Sequence, residues 1–444
     1  MSTQAQSTTQ ELETRLAEIS LDIERQKEVQ EGLERNKKLV QRQLNALRDP
    51  VARLPLELSS EIFLQCLSQW HNPRPGAHSA PMLFLNICTA WTNIAVSLPA
   101  LWDTIVIHLP CATGFEEGLD RWLRRAGGRS LHISLHGTIE PDVAACIWRY
   151  AASMKSLDII SFENEDVPVD GDIHHWQLLG GTMPQESLPR LQKLRIRGAY
   201  EDAICSWTPV LQLLQLSPNL VDLRLENMTF GDADDLDEDL VLPNLRQLKY
   251  TGYGLDGGLE GNTLCWLSAP SLESITVSPS IFEDTEPDAI SSFLERSSPP
   301  LRELKMSRLS GPQDFTWLET CLTLSPIAGL NHFDVATPLP RVLDRFLTIL
   351  EQPPSSALPA LQTVILRRVH LDPDYFPAHY WNRLARALTS RRSQLRTVRV
   401  ILSDEEWPLS QEIRGQFAGL LEDGMQVYIG AEGFGGKNLL LPQS

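Results

Sequence analysis

The chain of 444 residues is poor in cysteine: seven in all, no two closer than 22 residues. Cys66, Cys88, Cys111, Cys146, Cys205, Cys265 and Cys321 match neither a disulfide framework nor zinc-ligand spacing, so reduced thiols are expected. Long apolar runs are missing too, and no window approaches the ~20 apolar residues of a membrane helix. The opening MSTQAQSTTQ has neither the basic start nor the apolar core of a secretion signal. Cytoplasm or nucleus is therefore the expected compartment. Basic charge is scarce: 39 Lys and Arg stand against 57 Asp and Glu, a net charge of −18. That sign argues against general nucleic-acid binding and against an anionic membrane surface.

Catalytic signatures are also absent. There is no G-x-S-x-G, no P-loop and no H-E-x-x-H. GYGLDG at 252–257 matches G-x-G-x-x-G, but no βαβ unit surrounds it and it reads as a turn. His174-His175 has no companion ligand at metal spacing, and the acidic GDADDLDEDL (231–240) lacks the spacing of a Ca²⁺ loop. The expectation is a chain with no enzyme activity, no cofactor and no metal.

What is present begins with a heptad. Residues 11–48 contain no Pro, one Gly and 16 charged side chains among 38 residues. Steps of four and three link Leu12, Leu16, Ile19, Ile23, Gln26, Gln30, Leu33, Lys37, Val40, Leu44 and Leu47, the period of a coiled coil. Acids gather early and bases late, as the helix dipole favours. Asp49-Pro50 then stops the helix. Self-association through 11–48 and packing of a single helix on its own chain are both open at this point. Residues 1–10 read as disordered.

Next comes LPLELSSEIFLQCL (54–67). Leu58, Ile62 and Cys66 make one apolar stripe, and Phe63 and Leu67 make a second beside it. One small neighbour cannot cover both. A Pro-rich connection, HNPRPGAHSAP (71–81), leads to FLNICTAWTNIAV (84–96) and LPALWDTIVIHL (98–109). The order Leu54, Pro55, Glu57, Leu58, Ile62, Phe63, then Ile87, Cys88, Trp91, Ile94, Ala95, then Leu101 and Trp102 resembles an F-box over about 50 residues. With the heptad helix before it, the arrangement is similar to F-box proteins of mushroom-forming fungi. The resemblance implies a three-helix unit at 50–103 whose apolar face docks a Skp-type adaptor and, through it, a cullin ubiquitin ligase. It implies adaptor contacts at Leu54, Pro55, Leu58, Ile62 and Phe63, then at Cys88 and Trp91.

From residue 190 one pattern recurs: LQKLRI (191–196), LVDLRL (220–225), LRQLKY (245–250), LESITV (272–277), LRELKM (301–306), LNHFDV (330–335), LQTVIL (361–366) and LRTVRV (395–400). The spacing is 25–34 residues, most units follow a Pro, and helix-like stretches lie between them. MKSLDI (154–159) fits upstream and MQVYIG (425–430) reads as a terminal strand. This resembles a leucine-rich repeat, so an α/β fold is expected: an irregular solenoid of parallel strands and helices over 104–444. The Asn or Cys usual after the third apolar position is replaced by Ala199, Met228, Tyr253, Ser280, Leu309, Pro338, Val369 and Ser403, which predicts a horseshoe without that side-chain ladder.

Strand side chains alternate, so residues between the buried pairs share a concave face. Lys193, Arg195, Arg197, Arg224, Lys249, Lys305, Arg367 and Arg399 stand there against Asp222, Glu226, Glu303 and Asp334, a surplus of +4 on a body carrying about −16. The reading is a face for an acidic or phosphorylated segment of a target protein. Cross-strand pairing of Arg195 and Arg224 with Asp222 and Glu226 is the alternative. As a whole the sequence suggests a substrate-recognition subunit of a ubiquitin ligase. The alternative is a protein-interaction scaffold in which the F-box is a structural cap.

Overall fold

The computed structural model describes residues 2–67, 75–112, 114–161, 175–176, 181–198, 204–205, 207–227, 229–230, 240–251, 264, 266–278, 289–306, 321–336, 340–354, 357–369, 378–402, 411–431 and 438–440. Two compact units emerge, Met1–Val106 with Trp122–Arg129, and Ile107–Arg121 with Ser130–Ser444.

The first unit is helical. α1 runs Ser2–Arg48, so the helix takes in the N-terminal residues expected to be disordered. No Pro or Gly interrupts 2–10, and the helix propagates through them. α1 stops before Asp49-Pro50, as expected. α2 (Leu56–Gln65), α3 (Phe84–Ile87) and α4 (Thr89–Ser97) follow. Pro55 precedes the first turn of α2, where its missing N–H and fixed φ cost nothing.

A small aromatic core joins these helices. The Phe63 ring lies 4.4 Å from Phe84 and 4.8 Å from Trp91. Asp49 locks the end of α1 onto it: its Oδ1 accepts the Val51 N–H at 2.9 Å, and its Oδ2 accepts the Trp91 Nε1–H. A second cluster explains why Trp122, on α5 (Phe115–Arg125), belongs here although the sequence boundary falls at 103. Trp102 and Trp122 meet edge to face at 5.0 Å, Trp122 Nε1 donates to Trp102 O at 3.0 Å, and Arg125 lies over the Trp102 ring.

The second unit is mixed α/β around one long sheet. Its twelve strands follow chain order: β1 (Thr104–His108), β2 (Leu131–His136), β3 (Met154–Ile160), β4 (Lys193–Arg197), β5 (Asp222–Glu226), β6 (Gln247–Thr251), β7 (Ser274–Val277), β8 (Glu303–Met306), β9 (His332–Ala336), β10 (Thr363–Val369), β11 (Thr397–Leu402) and β12 (Gln426–Ala431). From β2 onward the pairing is parallel, and the sheet is open, not closed into a barrel. All eight repeated motifs supply strands, as do MKSLDI and MQVYIG. β1 and β2 extend the sheet beyond the units that the repeat revealed.

The register shows what the motif is for. Leu194, Leu223, Leu248, Ile275, Leu304 and Phe333 are successive neighbours across the sheet, and all are buried. Ile196, Leu225, Tyr250, Val277, Met306 and Val335 form a second buried row. The leading Leu of each unit (Leu191, Leu220, Leu245, Leu272) adds a third. Each such side chain contributes about 1.5–3 kcal/mol once covered, and the neighbouring unit is what covers it.

The Pro before these four leading leucines has a local cause. Leu191, Leu220, Leu245 and Leu272 donate their N–H to Leu188, Ser217, Leu242 and Ala269, closing turns with Pro189, Pro218, Pro243 and Pro270 in second place. Pro suits that position because its φ is preset. Asn219 and Asn244 then donate to the carbonyls of Pro189 and Pro218, tying each turn to the one before at 2.8 and 3.1 Å. Of the positions named for the replaced Asn or Cys only Val369, in β10, lies among the described residues.

Helices fill the connections: α6 (Pro141–Trp148), α7 (Trp207–Gln215), α8 (Ala289–Ser297), α9 (Pro340–Glu351), α10 (Ala378–Ser390) and α11 (Gln411–Glu422). The guanidinium of Arg391, fully buried after α10, bonds the carbonyls of Ile349, Leu350, Gln352 and Ala357, capping the C-terminus of α9.

Candidate functional site

Two surfaces stand out, one in each unit, and each is built by periodicity. On α2, residues four apart share a face. Ser59 and Phe63 are fully buried; the Ser59 hydroxyl donates to Val51 O at 3.2 Å. Leu58 and Ile62, one residue earlier on the helix, are 54% and 39% exposed, with Leu54 at 39% and Pro55 exposed beside them. Of the two apolar stripes in the sequence, one closes the core and the other stays open. Leu54, Pro55, Leu58 and Ile62 therefore form one surface.

Phe63 and Cys88 do not belong to that surface. Both are fully buried, Phe63 against Phe84 and Trp91, and Cys88 with its Sγ 3.8 Å from Asp49 Oδ2. The resemblance implied adaptor contacts at both; the structure places their side chains in the core under the surface. Trp91 is half-buried and held by Asp49. The sequence reading missed Asp49 as the group fixing this indole. Its signal was the lone acid closing the heptad helix.

The second surface is the face of the sheet opposite the buried rows. Asp158, Arg195, Arg224, Lys249, Thr276, Lys305 and Asp334 are consecutive neighbours in register, a line across seven strands. Arg195, Arg197, Lys249, Lys305 and Arg367 line a cleft of about 500 Å³ with Glu226 and Asp334, five cations to two carboxylates. Lys193, Arg224 and Arg399 lie outside it; Arg399 is exposed, 5.3 Å from the Tyr428 ring.

Most of these cations are already paired. Arg195 and Lys249 both reach Glu226, at 2.7 and 3.0 Å. Arg224 pairs with Asp222 at 3.0 Å, Lys305 with Glu303 at 2.8 Å, and Arg367 with Asp334 at 2.9 Å. The cross-strand alternative thus holds for Arg195, whereas Arg224 pairs within its own strand. Arg197 and Lys193 are exposed, with no carboxylate partner among the described residues.

The pairing sets the protonation of the strip. Burial pushes the Glu226 carboxyl up, but hydrogen bonds from Arg195 and Lys249 outweigh it and hold the group below the usual range. Glu303 behaves likewise, with Lys305 and Ser274 overcoming burial. Asp158 goes the other way. Burial raises it, and the nearby Arg195 and Arg224 do not fully offset that cost. Sequence reading left Asp158 out of the strip because MKSLDI was treated as an outlying unit.

Several earlier readings fall on other residues. GYGLDG (252–257) and 231–239 of the acidic run lie outside the described residues, as does His174; His175 sits in a two-residue strand with Trp176. Cys66, Cys88, Cys111, Cys146 and Cys321 are free thiols, and burial pushes Cys321 up to about 12. Among the described residues no helix is long and apolar enough to cross a membrane.

No family model matches this chain, and no curated protein matches it. Among solved structures it has a faint likeness to a Bacteroides fragilis protein determined as a structural-genomics target, 13% identical with a TM-score of 0.33 over 75% of this chain and 77% of that one. A likeness of that size carries no argument about fold or function.

Proposed function

We propose that this chain is the substrate-recognition subunit of a Skp–cullin–F-box ubiquitin ligase, a non-catalytic adaptor of the cytoplasm or nucleus. The observation that carries this reading is the split of α2 into a buried face and an exposed one. A helix that packed only on its own unit would have no use for Leu54, Leu58 and Ile62 in water. The Skp-type adaptor covers that surface, with Pro55 among its contacts, and Phe63, Cys88 and Trp91 hold the helices that present it. The repeats form an irregular leucine-rich solenoid that presents a target protein to the other ligase subunits. Ubiquitin transfer is then accelerated by proximity, not by residues of this chain.

The target side engages the basic cleft. Because Arg195, Lys249, Lys305 and Arg367 are partnered, they supply a scaffolded positive field. Arg197 supplies the unpaired guanidinium that an acidic or phosphorylated segment would bind bidentately. Neither nucleic acid nor a membrane is the partner.

Co-purification with a Skp-type adaptor tests this, wild type beside Leu54→Ala/Leu58→Ala/Ile62→Ala. Central anchors commonly cost about 2 kcal/mol each when truncated, so the triple variant should lose the adaptor while melting as the wild type does. A wild-type chain that never binds the adaptor rejects the reading and leaves the scaffold, in which the helical unit is only a cap.

A further inference from the structure

α1 exposes an apolar seam and docks with its other side. Leu16, Ile19, Ile23, Leu33, Val40 and Leu44 are each at least 38% exposed. The contacts α1 makes within its own unit use polar side chains instead: Arg42 Nη2 reaches Thr92 Oγ1 at 3.1 Å, and Asn45 Nδ2 donates to Ile87 O at 3.1 Å. At 3.6 residues per turn, Arg42 and Asn45 lie across the helix from the line through Val40, Leu44 and Leu47. The seam is therefore not the face used for intramolecular packing. A 47-residue helix with an open heptad seam is a coiled-coil strand lacking its mate.

Charge identifies the mate and its direction. Residues 11–29 carry six acids and three bases, and residues 30–48 carry two acids and five bases, so the halves are −3 and +3. A parallel pair of identical helices would set like charge against like and bring two Lys37 ammoniums together in the seam. An antiparallel pair sets −3 against +3.

One antiparallel register also sorts the seam. When Leu16 faces Val40 of the second copy, Ile23 faces Leu33 and Gln26 faces Gln30, so the polar interruptions meet each other at the centre, where their amides can hydrogen-bond. Lys37 then lies over Ile19, where its stem packs and its ammonium reaches water. Lys27, near the two-fold axis, is already neutralised by Glu24 at 2.8 Å.

We propose that α1 pairs antiparallel with α1 of a second copy of this chain, in this register. The two helical units then sit near opposite ends of the rod, their Asn45 positions about 50 Å apart at 1.5 Å rise per residue. The proposal does not rest on the ligase reading, and failure to bind an adaptor leaves it standing.

The test uses the full chain at micromolar concentration. Light scattering should give twice the 49.9 kDa of the monomer. Ile23→Asp/Leu33→Asp should return it to one copy without changing the melting of the rest. In a Cys66→Ser background, Leu16→Cys/Val40→Cys should form a disulfide-linked dimer on mild oxidation, and Leu16→Cys alone should not. A monomeric wild type overturns the pairing. Efficient linking by Leu16→Cys alone overturns the antiparallel direction, and a dimer that the double variant fails to link overturns the register.

Discussion

The two units of this protein treat apolar surface in opposite ways. In the sheet unit the motif Leu-x-x-apolar-x-apolar places three side chains per repeat against the neighbouring repeats, and among its described residues Val241 alone is a large apolar side chain counted as exposed. In the helical unit sixteen such residues are exposed among those described, ten on α1 and the others from Leu54 to Val96. The difference follows from geometry. A parallel array supplies each unit with a mate from the same chain, every 25–34 residues. A lone long helix and a short three-helix cluster have no such supply, so part of their apolar surface stays exposed.

That contrast can be broken at chosen points. The largest effect is expected where the helical unit does close its core. Phe63→Ala should cost about 3–5 kcal/mol, seen as early melting of helical signal, because three aromatic rings lose their common contact. In the sheet unit Arg391→Met should cost roughly 3 kcal/mol, since each buried carbonyl left without a donor costs about 1–3 kcal/mol. Denaturant titration of that variant is the check. An unchanged midpoint would mean that α9 does not depend on this cap.

A smaller effect, about 1–2 kcal/mol, is expected for Glu226→Gln, which leaves Arg195 and Lys249 without their shared carboxylate. Its pH dependence has a definite sign. Glu226 and Glu303 are depressed below 4.5 in the fold, so their stabilisation is present above that value and lost as pH falls through the folded values. Asp158 is raised above 3.8, so its ionised form subtracts stability at neutral pH, and that loss is recovered on acidification. Urea midpoints between pH 3 and 7 should therefore show a flatter acid limb for Glu226→Gln and a steeper one for Asp158→Asn. The smallest effect on stability, within about 0.5 kcal/mol, belongs to Leu58→Ala and Arg197→Glu. Pull-down of the adaptor and of an acidic target, not melting, is where each should fail.

Much of this was legible in the residues. The eight motifs located eight strands because every unit repeats one requirement, alternation between core and water, and most units enter it through a turn with Pro in second place. The end of α1 was legible in Asp49-Pro50. Other features were not. Phe63 and Ile62 are adjacent and equally apolar, and no pattern separates them. Their fates differ because Phe84 and Trp91, more than twenty residues on, arrive on one side of α2 and not the other. The cations of the sheet face were legible as a row, but not as a row already partnered, since Glu226 meets Arg195 only when two strands 31 residues apart align.

The sequence alone thus determined the repeat, the parallel alternation of the sheet, the heptad and its charge halves, because each depends on neighbours within one turn or one strand. Tertiary structure alone decided which of two apolar stripes is covered, which cations of the row find a carboxylate and which side of α1 packs. Those outcomes depend on what arrives from elsewhere in the chain, and local physics has no access to it.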